Sequence, residues 1–377
     1  MRNLRFGAAG ILLFLVGCPN TGGGGHGIDG AFTFLTTDNL NGQDDDPAVA
    51  VDAAGDLHVV WFSDRDGTKD LYYVKSTGID LHTTTISWTP PVQITDLDAA
   101  QYPPPTQGDN FPSIAVDADG SIDVAWFRWN LANECHILFE RSDGTPTGWA
   151  NAVPVDVTTG ANFDRFPHVV RFAADDLRIY FGSSTRGTPD VNDIFVTVSS
   201  DDGAHWSTPA AVDTLNTPGE QSQFPTVVKL ANGTYAATLD RWALATNLDL
   251  FDPSSDVFYA ESSDGDLWTV DQVTNDPADD VNDITPTLFF DHAGAAQIAW
   301  STTGLGDPTA DIVRVAVSER ANYPTTGHLL SPALGLADHS PRVVALTVHG
   351  RRVYVMVWVR IVTAPHNQVG YRVFSHL

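Results

Sequence analysis

Six prolines recur along the chain at intervals of 55 to 65 residues, and each opens a segment of the same plan. An apolar run follows the proline, then a short polar turn and a second apolar run that reaches a bulky residue. A third run closes on a serine, and a short fourth run completes the segment. The six prolines are Pro47, Pro112, Pro167, Pro225, Pro286 and Pro341.

Alternation of apolar and polar residues within these runs is typical of β-strands. Four strands per segment, repeated six times, predict an all-β fold, a six-bladed β-propeller of four-stranded blades. The chain ends at Leu377, directly after the third run of the last segment. We therefore predict that residues 31–36 (AFTFLT) supply the missing fourth strand, so that the ring closes without an open edge.

The N-terminus has the features of an export signal. Two arginines, Arg2 and Arg5, precede an apolar run over residues 7–17. The run is too short to span a bilayer as a helix, but it has the length of the apolar core of a secretory signal peptide. It ends in the sequence LVGC, whose last residue is Cys18, and this resembles the lipobox of bacterial lipoproteins.

The lipobox resemblance implies three parts of the chain. Residues 1–17 would be a signal peptide, residues 18–29 a lipidated cysteine with a glycine-rich tether, and residues 30–377 the propeller. The expected location is the cell envelope, at the outer membrane or the cell surface, with the lipid as the only contact with the membrane.

The charge balance excludes some partners. The formal net charge is −27, from 47 acidic against 20 basic residues, whereas a nucleic-acid partner requires a basic surface. Nearly all the acid is aspartate, which favours turns. We expect no cofactor; some aspartates could bind Ca²⁺, but no calcium loop of the EF-hand type is present. Cys135 is expected to be a buried, inert thiol, and the oligomeric state stays open.

One turn motif stands out between the third and fourth runs of the third segment. Ser199, Asp201, Gly203 and Trp206 have the spacing Ser-x-Asp-x-Gly-x-x-Trp. This resembles the Asp-box, or BNR repeat, of the sialidase-like propellers, and residues 262–268 (SSDGDLW) carry an incomplete version. Chain direction places the motif on the opposite face from the loops that precede each first strand. We therefore predict that the motif is structural.

The loops before each first strand and after each second strand share the other face, here called the top face. Arginines, carboxylates and aromatic residues alternate around it, which suits a sugar ligand because rings stack on aromatic groups while charged groups bind hydroxyls. An alternative is a solvated rim whose ion pairs hold the blades together. The ligand-binding candidates are Asp46, Arg65, Asp109, Arg128, Trp129, Asp240, Trp242, Asp283 and His339.

The sialidase resemblance implies a further set of residues. Sialidases surround the substrate carboxylate with three arginines and add an aspartate acid and a tyrosine nucleophile assisted by a glutamate. The chain departs from that pattern, because its Arg-x-Pro motif lies in the third segment and not the first. The matching candidates are Arg165, Arg241 and Arg342 for the arginines, Asp164 for the acid, Tyr371 for the nucleophile and Glu220 for its base.

Three functions therefore stay open. The first is a surface-anchored propeller that binds a glycan or another extracellular ligand on the top face. The second is an active exo-glycosidase of the sialidase type that acts on acidic sugars. The third is a scaffold for protein partners in the cell envelope.

Overall fold

A computed structural model describes residues 30–375, apart from gaps at 37–41, 98–107, 131, 133, 144, 146–147, 150–153, 161, 188–190, 231, 244–254, 276–280, 305–310, 323–327, 332–336 and 364–365. The expected signal peptide, Cys18 and the tether to residue 29 lie outside the described residues. Within the described part of the chain, no helix is both long and apolar enough to cross a membrane.

The fold is all-β; the described residues form strands numbered β1 to β25 and one short 3₁₀ helix at Val317–Asn322. The first strands of the six blades are β2 (Asp44–Val51), β7 (Gly108–Val116), β11 (Asp164–Ala173), β15 (Glu220–Lys229), β19 (Val281–Phe290) and β23 (Asp338–Val348). The second strands are β3 (Leu57–Ser63), β8 (Ile122–Trp129), β12 (Asp176–Ser183), β16 (Tyr235–Ala243), β20 (Ala296–Gly304) and β24 (Arg351–Thr363).

The outer strands complete each antiparallel sheet. The third strands are β4 (Asp70–Asp80), β9 (Cys135–Ser142), β13 (Asp193–Ser199), β17 (Asp256–Ser262), β21 (Asp311–Ala316) and β25 (His366–Phe374). The fourth strands are β6 (Val92–Gln93), β10 (Val155–Asp156), β14 (Ala210–Ala211), β18 (Trp268–Gln272), β22 (His328–Leu329) and β1 (Thr33–Phe34). One extra strand, β5 (Thr85–Trp88), pairs with the extended end of β4. The predicted six-bladed propeller is confirmed.

The hydrophobic core lies between neighbouring blades, in clusters that join the inner strands of one sheet to those of the next. The bulky residue of each second strand is central to them, because a buried aromatic side chain removes roughly 150–250 Å² from water. Each of these residues is at most 1% exposed: Trp61, Trp126, Phe181, Leu239, Trp300 and Trp358.

The N-terminal strand closes the ring, as predicted. β1 pairs with β25 in antiparallel register, with Thr33 opposite Tyr371 and Phe34 opposite Gly370. The Phe32 ring packs on Trp358, with 4.6 Å between ring centroids. The last blade is therefore assembled from both ends of the propeller.

The turn over residues 199–206 is held by its own side chains and by the neighbouring blade. The Ser199 hydroxyl accepts the Gly203 N–H at 2.9 Å, and the Asp201 carboxylate accepts the His205 N–H at 2.9 Å. Trp206 packs edge-on against Phe139 of the preceding blade, at 5.1 Å between centroids. In this geometry the turn fastens the third blade to the second.

Candidate functional site on the top face

Backbone hydrogen bonds show which loops share a face. In the first blade, the N–H of Asp64, which follows β3, donates to the carbonyl of Gln43, which precedes β2, at 3.1 Å. At the other end of the first strands, Asp202 of the 199–206 turn pairs with Arg171 at 2.9 Å. The candidate loops and the 199–206 turn therefore lie on opposite faces.

The residue before each repeated proline has an unusual backbone. All six have φ between 47° and 55°, a left-handed conformation that is uncommon for residues other than glycine. Each lies at a register shift between the first and second strands, so that it forms a β-bulge facing the axis. We call these residues the bulge ring: Asp46, Phe111, Phe166, Phe224, Thr285 and Ser340.

The bulge ring has an apolar half and a polar half. The phenylalanines of the second, third and fourth blades pack together, with 4.0 Å between the Phe166 and Phe224 centroids. Thr285, Ser340 and Asp46 occupy the other three blades, and the Ser340 hydroxyl lies 3.4 Å from the Asp46 carboxylate. Strained backbone conformations cluster at functional sites, so the bulge ring is a candidate part of such a site.

Most rim arginines are paired inside their own blade. An aspartate three residues before the repeated proline accepts hydrogen bonds from an arginine at or after the end of the second strand, and the aspartates are at most 1% exposed. Such enclosed pairs tie the first strand to the second. The pairs are Asp44–Arg65 (3.1 Å), Asp109–Arg128 (2.7 Å), Asp164–Arg186 (2.8 Å) and Asp338–Arg360 (2.7 Å).

The fourth and fifth blades vary this arrangement. Ser222 replaces the aspartate in the fourth blade and accepts a hydrogen bond from Arg241 at 3.2 Å. In the fifth, Asp283 accepts the indole N–H of Trp300 at 3.1 Å. For these positions the geometry matches the rim alternative, in which polar pairs stabilise the blades.

Two of the candidate arginines meet at the boundary between the third and fourth blades. Arg165 donates to Asn192 at 3.2 Å, and Asn192 donates to Gln221 of the next blade at 2.7 Å. On the adjoining strand, Arg241 lies 3.5 Å from the carboxylate of Glu220. The structure thus brings Arg165, Arg241 and Glu220 to one boundary, while the Asp164 carboxylate pairs with Arg186.

The remaining two candidates lie elsewhere. Arg342 lines a cavity on the axis, not the boundary that holds Arg165 and Arg241. Tyr371 is 2% exposed in the core between the last and first blades, where its hydroxyl accepts the backbone N–H of Ile86 at 2.9 Å. The arrangement expected of a sialidase, with three arginines around one substrate carboxylate beside a tyrosine, is not assembled here, because strand alternation turns Tyr371 into the core.

Asp240 stands apart from the paired carboxylates. It is 0% exposed, and neither oxygen makes a hydrogen bond of standard geometry within the described part of the chain. Burial raises the pKa of this carboxyl well above its usual range, and the nearby N–H of Thr285 offsets only part of that effect. Asp240 lies next to the polar half of the bulge ring, close to the backbone of Thr285.

Asp46 is a second buried carboxyl. Burial, reinforced by the neighbouring Asp45 carboxylate, raises its pKa well above the usual range. His339 borders this group, with its Nδ1 3.2 Å from the Ser340 hydroxyl and 3.8 Å from Asp45. Two carboxyls whose pKa values are raised by burial thus lie on the polar side of the axis.

An aromatic pair lies at the edge between the second and third blades, packed against the core between them. Trp129 and Phe163 are both half-buried and pack edge to face, with 5.8 Å between centroids. Asn130 and Glu134 form a hydrogen-bonded pair beside them, at 3.0 Å. By contrast, Trp242 is 3% exposed and belongs to the interior.

Some of these groups had no separate signal in the sequence. Phe163 and Arg186 fall in loops whose partners are set only by the strand register. The bulge ring could have been found, since each member directly precedes a repeated proline.

The described residues contain no cluster of three or more histidines, cysteines or acidic groups placed to hold a metal ion. Cys135 is buried, which raises the pKa of its thiol to about 12.

No protein-family model and no curated protein sequence matches the chain. Solved structures do resemble its fold. A protein of unknown function from Dyadobacter fermentans superposes with a TM-score of 0.64 at 15% identity, covering 90% of this chain and 96% of its own.

Two glycoside hydrolases are also similar. The GH93 α-L-arabinofuranosidase of Fusarium graminearum, solved with arabinobiose, gives a TM-score of 0.60 at 13% identity, over 92% of this chain and 96% of its own. The NanB sialidase of Streptococcus pneumoniae gives 0.57 at 8% identity, over 93% of this chain and 71% of its own. The chain thus has a sialidase-like six-bladed propeller fold, which it shares with an arabinofuranosidase and a sialidase.

Proposed function

We propose that the chain binds a glycan on its top face, with the Trp129–Phe163 pair as the stacking surface. The observation that carries the proposal is this half-buried aromatic pair, flanked by the amide of Asn130 and the carboxylate of Glu134. A sugar presents apolar ring faces and a rim of hydroxyls, which match an aromatic platform bordered by polar groups. That a similar propeller binds arabinobiose supports this ligand class.

The expected lipid on Cys18 would display this face at the cell envelope. Incorporation of labelled palmitate by the wild-type chain, but not by Cys18→Ser, is the expected result. Labelling of both chains, or of neither, would contradict the lipid anchor without bearing on the glycan site.

The binding proposal is tested by isothermal titration of the full-length protein with arabinobiose, longer arabino-oligosaccharides and sialyllactose. Trp129→Ala should weaken the binding of the preferred glycan by about tenfold or more, since losing one aromatic stacking contact costs on the order of 1–3 kcal/mol. Leu267→Ala is the matched control, because Leu267 is an exposed apolar residue, 69% accessible, in the turn before β18. It should leave affinity unchanged.

Absence of binding to every sugar in the wild type would refute glycan recognition and favour the protein-scaffold alternative. Equal affinities in wild type and Trp129→Ala would refute the assigned platform.

Glycoside hydrolysis is the second candidate, and the Asp240 carboxyl favours it. A carboxyl whose pKa is raised by burial has the property that a general acid requires. If it acts in this way, activity should fall as pH rises through the raised pKa of Asp240, because the ionised form cannot donate a proton.

Asp240→Asn is the decisive variant, since it keeps the shape of the side chain and removes the acid. Turnover of fluorogenic arabinofuranosides or sialosides should fall by about 100-fold or more, with ligand affinity retained. Full activity in Asp240→Asn would exclude this residue as the acid. If the wild type binds a sugar but does not hydrolyse it, hydrolysis is refuted and the glycan-binding proposal stands.

A further inference from the structure

A cavity of about 310 Å³ lies on the propeller axis. Its walls come from four members of the bulge ring and from residues that follow the ring on the first strands. Partly buried valines contribute to the walls, among them Val49, Val170 and Val344. The volume is enough for a small organic molecule, since ligand pockets begin near roughly 300 Å³.

One cation facing this cavity makes no ion pair within the described part of the chain, although Asp46 attracts it from a longer distance. The Arg342 side chain donates one hydrogen bond, to the carbonyl of Pro341 at 2.7 Å, and no carboxylate of the described residues lies within 4.0 Å of it. Burial lowers the pKa of Arg342 only to about 10, so it stays protonated at neutral pH. Arg171 also touches the cavity but pairs with Asp123 at 3.0 Å and Asp202 at 2.9 Å.

The nearest groups form no ion pair with Arg342. The Asp46 carboxyl attracts it from beyond 4.0 Å, and burial raises the pKa of that carboxyl well above its usual range. His168 donates its Nε2–H to the carbonyl of Val227 at 2.9 Å, which leaves Nδ1 as a neutral acceptor, and burial lowers its pKa to about 4. A half-buried guanidinium without an ion pair is costly, and a bound anion lowers that cost.

We propose that the axial cavity binds a small monocarboxylic acid, with its carboxylate on the Arg342 guanidinium and its apolar body against the valine walls. The planar guanidinium offers parallel donors that fit a carboxylate. The walls favour a short alkyl chain over an inorganic ion. This site is separate from the top-face platform and does not depend on a bound sugar.

The test is isothermal titration of the full-length protein with butyrate, chloride and butylamine. Butyrate should bind and should raise the midpoint of thermal unfolding, whereas chloride should bind at least about tenfold more weakly because it gains nothing from the apolar walls. Butylamine should not bind, since its charge has the wrong sign. Equal binding of butyrate and butylamine, or binding of chloride alone, would overturn the proposal.

Arg342→Met keeps the length of the side chain and removes the charge. Butyrate affinity should fall by about 10- to 100-fold, as expected for the loss of a charged hydrogen-bonded pair. Arg342→Lys keeps the charge but not the planar group, so its butyrate affinity should fall by less. This variant replaces Arg342→Met in the test if the methionine variant does not fold. Unchanged butyrate affinity in both variants would refute the site. Glycan binding should be the same in both, which separates this result from the top-face proposal.

Discussion

Deleting residues 31–36 should remove about 5 kcal/mol or more of the free energy of unfolding, which is a large part of the 5–15 kcal/mol typical of a domain. The deletion strips β25 of its outer partner and leaves an unpaired edge. It also removes Phe32, whose ring packs on Trp358 and under the Arg360 guanidinium at 4.1 Å. Chemical denaturation of the full-length protein and of the deletion variant measures the difference.

Two point variants separate packing from strand pairing. Phe32→Ala should cost about 2–3 kcal/mol, near the lower range for a buried phenylalanine, because the ring is only partly enclosed. Phe34→Ala should cost within about 0.5 kcal/mol, since Phe34 is 37% exposed on the same strand. An unchanged unfolding midpoint in the deletion variant would show that β1 does not close the ring.

Gly203→Ala should lower the free energy of unfolding by about 3–4 kcal/mol. Gly203 has φ of 85°, a conformation that costs an alanine about 1 kcal/mol. An added Cβ would also lie 2.0 Å from the Phe139 ring of the preceding blade, so either the turn or that ring must move. Denaturant titration of the variant measures the sum of both costs.

Gly120→Ala is the matched control, because Gly120 has φ of 88° and no atom within 4 Å of an added Cβ. It should cost only about 1 kcal/mol. In a Phe139→Leu background the cost of Gly203→Ala should shrink, since the smaller side chain gives way. Equal costs at the two glycines would show that the 199–206 turn does not depend on blade contact. Top-face ligand affinity should not change in any of these variants.

Much of the architecture could be predicted from local pattern. The repeated proline, the alternating runs and the buried residue at a constant offset follow from what a four-stranded blade must bury on each side. Because the last segment shows three runs, residues 31–36 are predicted to supply its fourth strand, and β1 does pair with β25. These inferences need only the periodicity of the sequence, because each of the six blades packs against similar neighbours.

The site was harder, because it depends on departures from the repeat. The sequence offers several arginines and many aspartates on one face, and spacing along the chain does not say which will pair. Asp164 pairs with Arg186, a residue that no motif marks, because the register of β11 and β12 brings the two together. Tyr371 is the tyrosine that the sialidase resemblance implies as nucleophile, yet its side chain lies in the core.

The sequence by itself determined the number of blades, the way the ring closes and which loops share a face, since these follow from repeat length and chain direction. Only the tertiary structure decided which arginines and carboxylates form ion pairs and which do not. That outcome depends on side-chain distances across blades and on burial, neither of which has a period along the chain. Arg342 and Asp240 differ from their counterparts in the other blades for this reason: the repeat sets their places, and the enclosing neighbours set their charge and chemistry.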